Sequence, residues 1–187
     1  MDDLDKLGPL KHLVGTWEGI KGLDVSYHHE EGAVGDTVYR ERTTFSPFGP
    51  VDNGTQQLYG LDYRMAAWRG NEVDPFHTEI GYWLWDATDQ QVMRCFMVPR
   101  GTVVIAGGTA TADATTFTMA GELGSPTYGV LENRYLAQNA SCVRYECTIT
   151  IEGPDAWSYE QDTVLRMTQF EDLYHHTDAN TLTRVVD

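Results

Sequence analysis

The chain has 187 residues, of which 41% are hydrophobic and 22% charged, and its formal net charge at pH 7 is -15. This length and composition fit one globular domain spanning residues 1–187, with enough apolar residues to bury a core. The acidic balance excludes a nucleic-acid binder, which must neutralise phosphates with Lys and Arg, and it disfavours binding to an anionic membrane surface.

The chain contains no stretch near the roughly 20 apolar residues that a membrane span requires. The N-terminal segment Met1–Asp5 is acidic, whereas a signal peptide begins with a basic region followed by an apolar one. The three cysteines cannot all pair within one chain, and the spacing of Cys142 and Cys147 fits neither a zinc site nor a redox motif. We therefore expect a cytoplasmic protein.

In chain order, the only segment with a helical pattern is the first, Asp3–Val14, where leucines recur at a spacing of three. The segment Ser26–Gly35 lacks periodicity and is predicted to be a long loop. Strand-like segments bounded by turn residues fill most of the remaining chain. Apart from the hairpin described next, the predicted strands are Thr16–Ile20, Val38–Phe45, Thr55–Trp68, Phe76–Trp85, Gln91–Val98, Thr102–Gly108, Thr115–Glu122 and Thr181–Val186.

The clearest strand pair lies near the C-terminus and is joined by the turn Gly153–Asp155. In residues 143–152, apolar or aromatic residues occupy the odd positions and charged or hydroxylic residues the even ones, which predicts one buried face. The second strand alternates from Trp157 to Thr168, but its inner face includes Gln161 and Thr163. A strand against a solid core would rarely carry both, whereas a strand along a partly hydrated cavity could.

The succession of about ten strands with short turns and no crossover helices predicts an all-β fold. We expect an antiparallel up-and-down barrel of calycin-like type with a short N-terminal helix, because closure removes the exposed strand edges. Such a barrel is wider than one of about eight strands, whose interior side chains can just fill, so a cavity is expected from geometry. A β-sandwich is the structural alternative.

Gly15-Thr16-Trp17 follows the predicted helix and begins the first strand. A Gly-x-Trp at this place resembles calycin-type barrels, in which the Trp plugs the closed end and an Arg of the last strand stacks over it. Arg184 is placed to do this here. A guanidinium over an indole face contributes roughly 0.5–2 kcal/mol and would tie the first strand to the last.

Five segments, in order between residues 10 and 185, carry motifs of one known family. They are Leu10–Gly19, Tyr39–Phe45, Pro75–Trp83 with its His-x-Glu-x-Gly-Tyr-Trp pattern, Pro99–Gly108 and the His-rich His175–Val185. In these segments the chain resembles the nitrobindin-like haem-binding β-barrel family, a group of fatty-acid-binding-protein-like barrels that includes THAP4-type domains. The resemblance covers nearly the whole chain.

The resemblance implies a cofactor, ferric haem b, at the barrel mouth. It implies that His176, near the start of the last strand, is the axial iron ligand, with His175 as the neighbouring candidate. His77 would line the cavity, and the implied apolar wall consists of Phe76, Val98 and Met167. The family has been associated with nitric oxide binding and with isomerisation of peroxynitrite to nitrate, so a haem-dependent peroxynitrite isomerase is implied. No residue is assigned as catalytic, and the sequence contains no nucleophile elbow, phosphate-binding loop or zinc-protease motif.

The chain departs from the family pattern after the candidate ligand. The usual Leu-x-Ala-x-Leu-x-Arg is here the stretch from Thr177 to Arg184, with Asp178 at a place where a carboxylate is costly unless it is hydrogen-bonded. Two explanations stay open. Either a bulge shifts the strand register, or this branch has lost haem.

The same histidines and the same cavity also have interpretations without haem. The His175-His176 pair could lie on the surface beside acidic residues, and His77 could be a core histidine hydrogen-bonded to Glu79. Residues 28–31, His-His-Glu-Glu, are interpreted as a solvated loop and not as a metal site. The rival function is a haem-free carrier of a fatty-acid-like or other hydrophobic small molecule, with its polar head group bound by Gln161, Thr163 and His77. The partner in either case is a small ligand, and the oligomeric state is open, a homodimer being among the states allowed.

Overall fold

The computed structural model describes residues 3–186, so residues 1, 2 and 187 of the expected domain lie outside it. Within this range the chain forms a 3-10 helix, Asp3–Leu13, a short α-helix, α1 (Arg134–Asn139), and eleven β-strands. The strands are β1 (Gly15–His28), β2 (Ala33–Asn53), β3 (Gln56–Arg69), β4 (His77–Asp86), β5 (Gln91–Val98), β6 (Thr102–Thr109), β7 (Thr116–Leu123), β8 (Gly129–Glu132), β9 (Ala140–Gly153), β10 (Ala156–Met167) and β11 (Tyr174–Arg184). None of the helices in the described range is long and apolar enough to cross a membrane.

The strands close into a barrel, which confirms the predicted all-β barrel fold. Their order around the barrel is β1-β11-β10-β9-β7-β8-β6-β5-β4-β3-β2, and β2 pairs with β1 again. Neighbouring strands are antiparallel except β7 and β8, which run parallel. The sheet is therefore mixed at one place, and the alternative of two stacked sheets is excluded.

Strand β8 and helix α1 are the elements that the sequence analysis missed. Strand β8 lies between β6 and β7, pairing antiparallel with Thr102–Val104 of β6 and parallel with the end of β7. Strands β6 and β7 meet directly only farther along, at Gly107 and Ala120. Four residues are too few for an alternating pattern to stand out, and α1 is a short helix capped by the side chain of Asn133.

The segment Ser26–Gly35, predicted to be a loop, is instead the tip of a β-hairpin. Strand β1 continues to His28, and the turn is closed by Gly32 N, which donates to His28 O at 2.8 Å. The last strand likewise begins at Tyr174 and not at Thr181. In both places the inward face of the strand carries polar side chains, such as Asp24 and Ser26 in β1 and His176 and Asp178 in β11, so the pattern of buried apolar residues that the prediction needed is missing.

The 3-10 helix closes one end of the barrel. The element is kinked at Gly8, whose φ and ψ are 55° and -131°. After the kink, Leu10 and Leu13 share one face because a 3-10 helix has three residues per turn. Leu7, Leu10 and Leu13 are fully buried, and Trp17 at the start of β1 donates from Nε1 to Leu13 O at 2.6 Å. The adjoining half of the interior is solid, with ring contacts around Phe45 that involve Tyr63, Trp83 and Trp157.

Arg184 stacks on Trp17, as the sequence predicts. The two residues are cross-strand partners in the β1–β11 pair, and the guanidinium lies 4.1 Å from the centre of the indole ring. The same guanidinium donates to Val14 O at 2.7 Å and to Pro154 O at 3.0 Å. Arg184 therefore joins the first strand, the last strand and the β9–β10 turn.

Replacing Arg184 with alanine is expected to lower the free energy of unfolding by about 1–3 kcal/mol. The change removes the cation–π contact, worth about 0.5–2 kcal/mol, and hydrogen bonds worth about 0.5–1.5 kcal/mol each. Urea denaturation followed by tryptophan fluorescence measures this difference. The exposed neighbour Thr183 provides the control, since Thr183→Ala should stay within about 0.5 kcal/mol of the wild type. Equal effects of the two substitutions would contradict the stacking role.

Candidate functional site

The half of the barrel away from the 3-10 helix encloses a cavity of about 760 Å³. This volume lies within the roughly 300–1,000 Å³ that is typical of small-molecule sites. The space exists because eleven strands make a barrel wider than its own inward side chains can fill. The cavity is therefore the candidate ligand site.

One wall of the cavity is polar and is built by four neighbouring strands. Its side chains are Asp24 and Ser26 of β1, Thr37 and Tyr39 of β2, Gln161 and Thr163 of β10, and His176 and Asp178 of β11. The residues of each strand are two apart, so they share the inward face. The strand register sets Thr163 opposite His176 and Gln161 opposite Asp178. The inner face predicted for β10, with its two polar residues, is the face that lines the cavity.

The facing wall is mainly apolar, although Arg100 and Thr102 also line it. Strands β5 and β6 lie across the barrel from β11 in the strand order, and they contribute Phe96, Val98 and Val104 to the cavity lining. Met167 of β10 and Phe76, just before β4, extend the apolar surface. Four of the residues singled out in the sequence, Phe76, His77, Val98 and Met167, thus line the cavity together with His176.

His176 and His175 lie on opposite faces of β11, because adjacent strand residues point in opposite directions. The His176 side chain lines the cavity, whereas the side chain of His175 is 60% exposed and lies outside. His175 Nδ1 contacts Asp162 Oδ2 at 2.7 Å on the outer surface. The description of a surface histidine beside an acidic residue thus fits His175, with Asp162 as its partner.

The ring of His176 is held by a buried carboxylate. Its Nε2 donates to Oδ1 of Asp24, and Oδ2 of Asp24 accepts from Ser26 Oγ at 2.7 Å. Burial opposes ionisation of Asp24. The hydrogen bond and charge of His176 outweigh it, together with the hydrogen bond from Ser26, and they hold the pKa of this carboxyl below its ordinary value. Within residues 3–186, the other ring nitrogen of His176, Nδ1, has no hydrogen-bond partner.

Two other cavity-lining histidines, His77 and His28, have polar contacts at both ring nitrogens, whereas the ring of His29 packs edge-on against Tyr27. His77 lies between Glu79 Oε1, 3.1 Å from its Nε2, and Arg100 Nη1, 3.3 Å from its Nδ1. The interpretation of His77 as a histidine bonded to Glu79 therefore holds, and it also lines the cavity. His28, at the hairpin tip, contacts Thr37 at 3.3 Å and Glu31 at 3.5 Å.

Beneath the cavity lies a buried charged cluster that the sequence analysis did not identify. Arg94 is only 5% exposed and forms a salt bridge with Glu79 while donating to Tyr63 and Gln161. Burial favours the neutral form of Glu79, but Arg94 outweighs it and holds the pKa of this carboxyl at about 2. A signal was present in the sequence, since Arg94 shares the inward parity of β5 with Val92, Phe96 and Val98.

Asp178 is the residue whose burial the sequence marked as costly. It lines the cavity and accepts a hydrogen bond from the Tyr39 hydroxyl, which meets the condition for placing a carboxylate there. Burial, reinforced by the nearby Glu41 and Asp24 carboxylates, raises the pKa of Asp178 to about 7. The polar wall therefore combines one ionised carboxylate, Asp24, with one that is partly neutral at neutral pH.

The mouth of the cavity is formed by the β1–β2 hairpin tip and the segment before β11. Tyr27 packs edge-on against Phe170, with ring centres 5.4 Å apart, and Phe170 stacks on Tyr174 at 4.7 Å. Residues 28–31 line the cavity entrance. In the part of the chain that the structure describes, no three His, Cys, Asp or Glu side chains form a group able to hold a metal ion.

Comparison with known proteins gives a family match and a structural match. The family model described as "THAP4-like, heme-binding beta-barrel domain" matches residues 6–184. The chain is similar in fold to the crystal structure of Rv2717c from M. tuberculosis, with a TM-score of 0.67 and 19% sequence identity over 97% of this chain and 98% of that chain. A search of the curated proteins gave no significant match.

Proposed function

Because the chain belongs to the family of THAP4-like, heme-binding β-barrel domains, we propose that its cavity binds ferric haem b with His176 as the axial ligand. The observation that carries this proposal is the state of the His176 ring. It lies on the cavity wall, one nitrogen is held by Asp24, and the other nitrogen has no partner in the described range. A histidine held through one ring nitrogen, with the other nitrogen free and on the cavity wall, can offer that second nitrogen to haem iron.

The apolar residues and the arginines of the cavity lining support haem binding. The porphyrin is largely apolar, and Phe76, Val98 and Met167 offer it an apolar surface that excludes water. Its propionates are anionic, and two arginines, Arg69 and Arg100, lie among the cavity-lining residues. The guanidinium of Arg69 lies over the ring of Phe76 at 4.4 Å, so one positive charge borders the apolar surface.

The family resemblance adds an activity to this proposal. When bound, ferric haem would supply a metal centre for binding nitric oxide and isomerising peroxynitrite to nitrate. The chain itself would orient His176 through Asp24 and keep water from the side lined by Phe96, Val98 and Val104. We also propose that the protein works in the cytoplasm, since Cys95, Cys142 and Cys147 are all unpaired.

Titration of the purified chain with ferric haem tests the proposal. The titration is followed by absorption spectroscopy at constant protein concentration. We expect a Soret band that saturates, with a break at one haem per chain. Haem added to the same buffer without protein provides the blank, because free haem also absorbs. A linear rise without a break would refute haem binding by this chain.

A haem-free carrier is the second candidate, and one observation favours it. Gln161 Oε1 accepts from Arg94 at 3.1 Å and from Tyr145 at 2.7 Å, which fixes the amide and leaves its NH₂ group for the cavity. Thr163 lies on the same face, so a ligand head group would find donors on β10. Mass spectrometry of an organic extract of the purified protein would reveal such a ligand, and a stoichiometric amphiphile without a Soret band would favour this function over the first.

A further inference from the structure

We propose that Asp24 is a positioning residue for His176, which fixes the imidazole and makes it a stronger electron donor to haem iron. This inference rests on the proposed haem-binding function. It concerns a residue that the sequence analysis did not single out, and it assigns a role to the contact between Asp24 and His176 on the cavity wall.

The strand register places Asp24 within reach of His176. Asp24 pairs with Asp178 in the β1–β11 ladder, and His176 is two residues before Asp178 on the same face. Diagonal neighbours of this kind in an antiparallel pair are close enough for side-chain contact. Asp24 is only 7% exposed, so solvent screens the contact little.

Both oxygens of Asp24 are occupied, which holds the carboxylate in one orientation. Oδ1 accepts from His176 Nε2, and Oδ2 accepts from Ser26 Oγ at 2.7 Å. Within residues 3–186, the salt-bridge partner of Asp24 is His176, with no Lys or Arg within 4.0 Å of it. Its negative charge therefore acts mainly on the imidazole.

A carboxylate on the second nitrogen of a metal-bound imidazole fixes the ring orientation and raises its basicity. A more basic ligand stabilises ferric iron more than ferrous iron, because the higher charge gains more from electron donation. Loss of such a partner typically weakens metal affinity by about 10–100-fold. The opposite effect is the rival prediction, in which Asp24 competes with iron for His176 and its removal would tighten haem binding.

The experiment compares Asp24→Asn with two other variants. Asn keeps the shape of Asp24 and removes its charge. Ser26→Ala removes the hydrogen bond that holds Asp24 and should act in the same direction with a smaller effect. Asp162→Asn is the matched control, since it breaks the corresponding carboxylate–histidine contact on the outer face, at His175. Circular dichroism spectra test whether each variant is folded.

Haem dissociation constants and midpoint potentials are measured for each variant. For Asp24→Asn we expect about 10–100-fold weaker ferric haem binding. We also expect the preference for ferric over ferrous haem to fall about tenfold, which raises the one-electron potential by about 59 mV. Asp162→Asn should change neither quantity. Tighter haem binding or an unchanged potential in Asp24→Asn would overturn the inference.

Haem binding and the role of Asp24 can be refuted separately. A wild-type chain without a Soret band would overturn the haem proposal and, with it, this inference. A wild-type chain that binds haem through His176 while Asp24→Asn keeps the wild-type potential would overturn only the role of Asp24. If Asp24→Asn does not fold, Ser26→Ala decides, and an unchanged potential in that variant counts against the inference.

Discussion

His176→Ala is expected to abolish the saturable Soret band of protein-bound ferric haem and leave only the spectrum of free haem, whereas His175→Ala keeps the band of the bound form. The reason is the alternation of side chains along β11, which turns His176 into the cavity and His175 toward solvent. Loss of an axial ligand removes the iron–nitrogen bond, while loss of an outer-surface histidine removes only its exposed contact with Asp162. Absorption spectra of both variants, titrated with ferric haem, measure the difference.

Rescue of His176→Ala by added imidazole separates loss of the iron ligand from other effects of the substitution. In His176→Ala, added imidazole should restore part of the band, because free imidazole supplies the missing nitrogen ligand. The band of His175→Ala should not change when imidazole is added. Loss of the band in His175→Ala, or its full retention in His176→Ala, would show that iron is held by another group. His77→Ala should retain the band, since the ring nitrogens of His77 contact Glu79 and Arg100.

Glu79→Gln is expected to destabilise the fold by about 3–5 kcal/mol. Glu79 and Arg94 are 3% and 5% exposed, so the substitution leaves the guanidinium buried without its counter-charge. The free energy of unfolding is measured by urea denaturation. Glu18→Gln is the matched control, because Glu18 pairs with Arg42 where both side chains are about half exposed and the pair contributes about 0–1 kcal/mol.

The same residue predicts how stability depends on acid. The folded-state pKa of Glu79 is about 2 and its ordinary value is 4.5, so the unfolded chain takes up a proton first as the pH falls. The stabilisation is complete above about pH 4.5 and is lost as the pH falls toward 2. In Glu79→Gln this part of the acid dependence should be missing. An identical pH profile for the two proteins would show that the carboxylate is not ionised in the folded state.

The barrel could be predicted because its strands alternate cleanly wherever one face meets a solid core. The part of the β9–β10 hairpin nearest its turn, with Ile149 and Trp157 buried, is an example. The stack of Trp17 with Arg184 was expected from the Gly-x-Trp motif and is also present. The prediction was wrong where strands line the cavity near its mouth. There the inward face is itself polar, so β1 and β11 were cut short and the hairpin tip was taken for a loop.

The candidate site was predicted in part, from motif resemblance and not from strand alternation. Motif resemblance pointed to His176, His77 and the apolar residues, and Glu79 was named as a partner of His77, but neither resemblance nor periodicity could find the partner of His176. Asp24 is 152 positions away from His176 in the sequence, and only closure of β1 against β11 brings the two side chains together. Arg94 was detectable as a charge on an apolar face, yet its partner Glu79 depends on the pairing of β4 with β5.

The unlike walls of the cavity also constrain which way round a flat molecule can lie. One of its faces would meet His176 and the other hydrogen-bonding groups of β10 and β11, and the opposite face would meet Phe96, Val98 and Val104. Turning the molecule over would set its polar side against carbon and leave the donors of the other wall unsatisfied, which is unfavourable on both counts. The chain should therefore discriminate between the two faces of an asymmetric planar guest, in addition to selecting it by size.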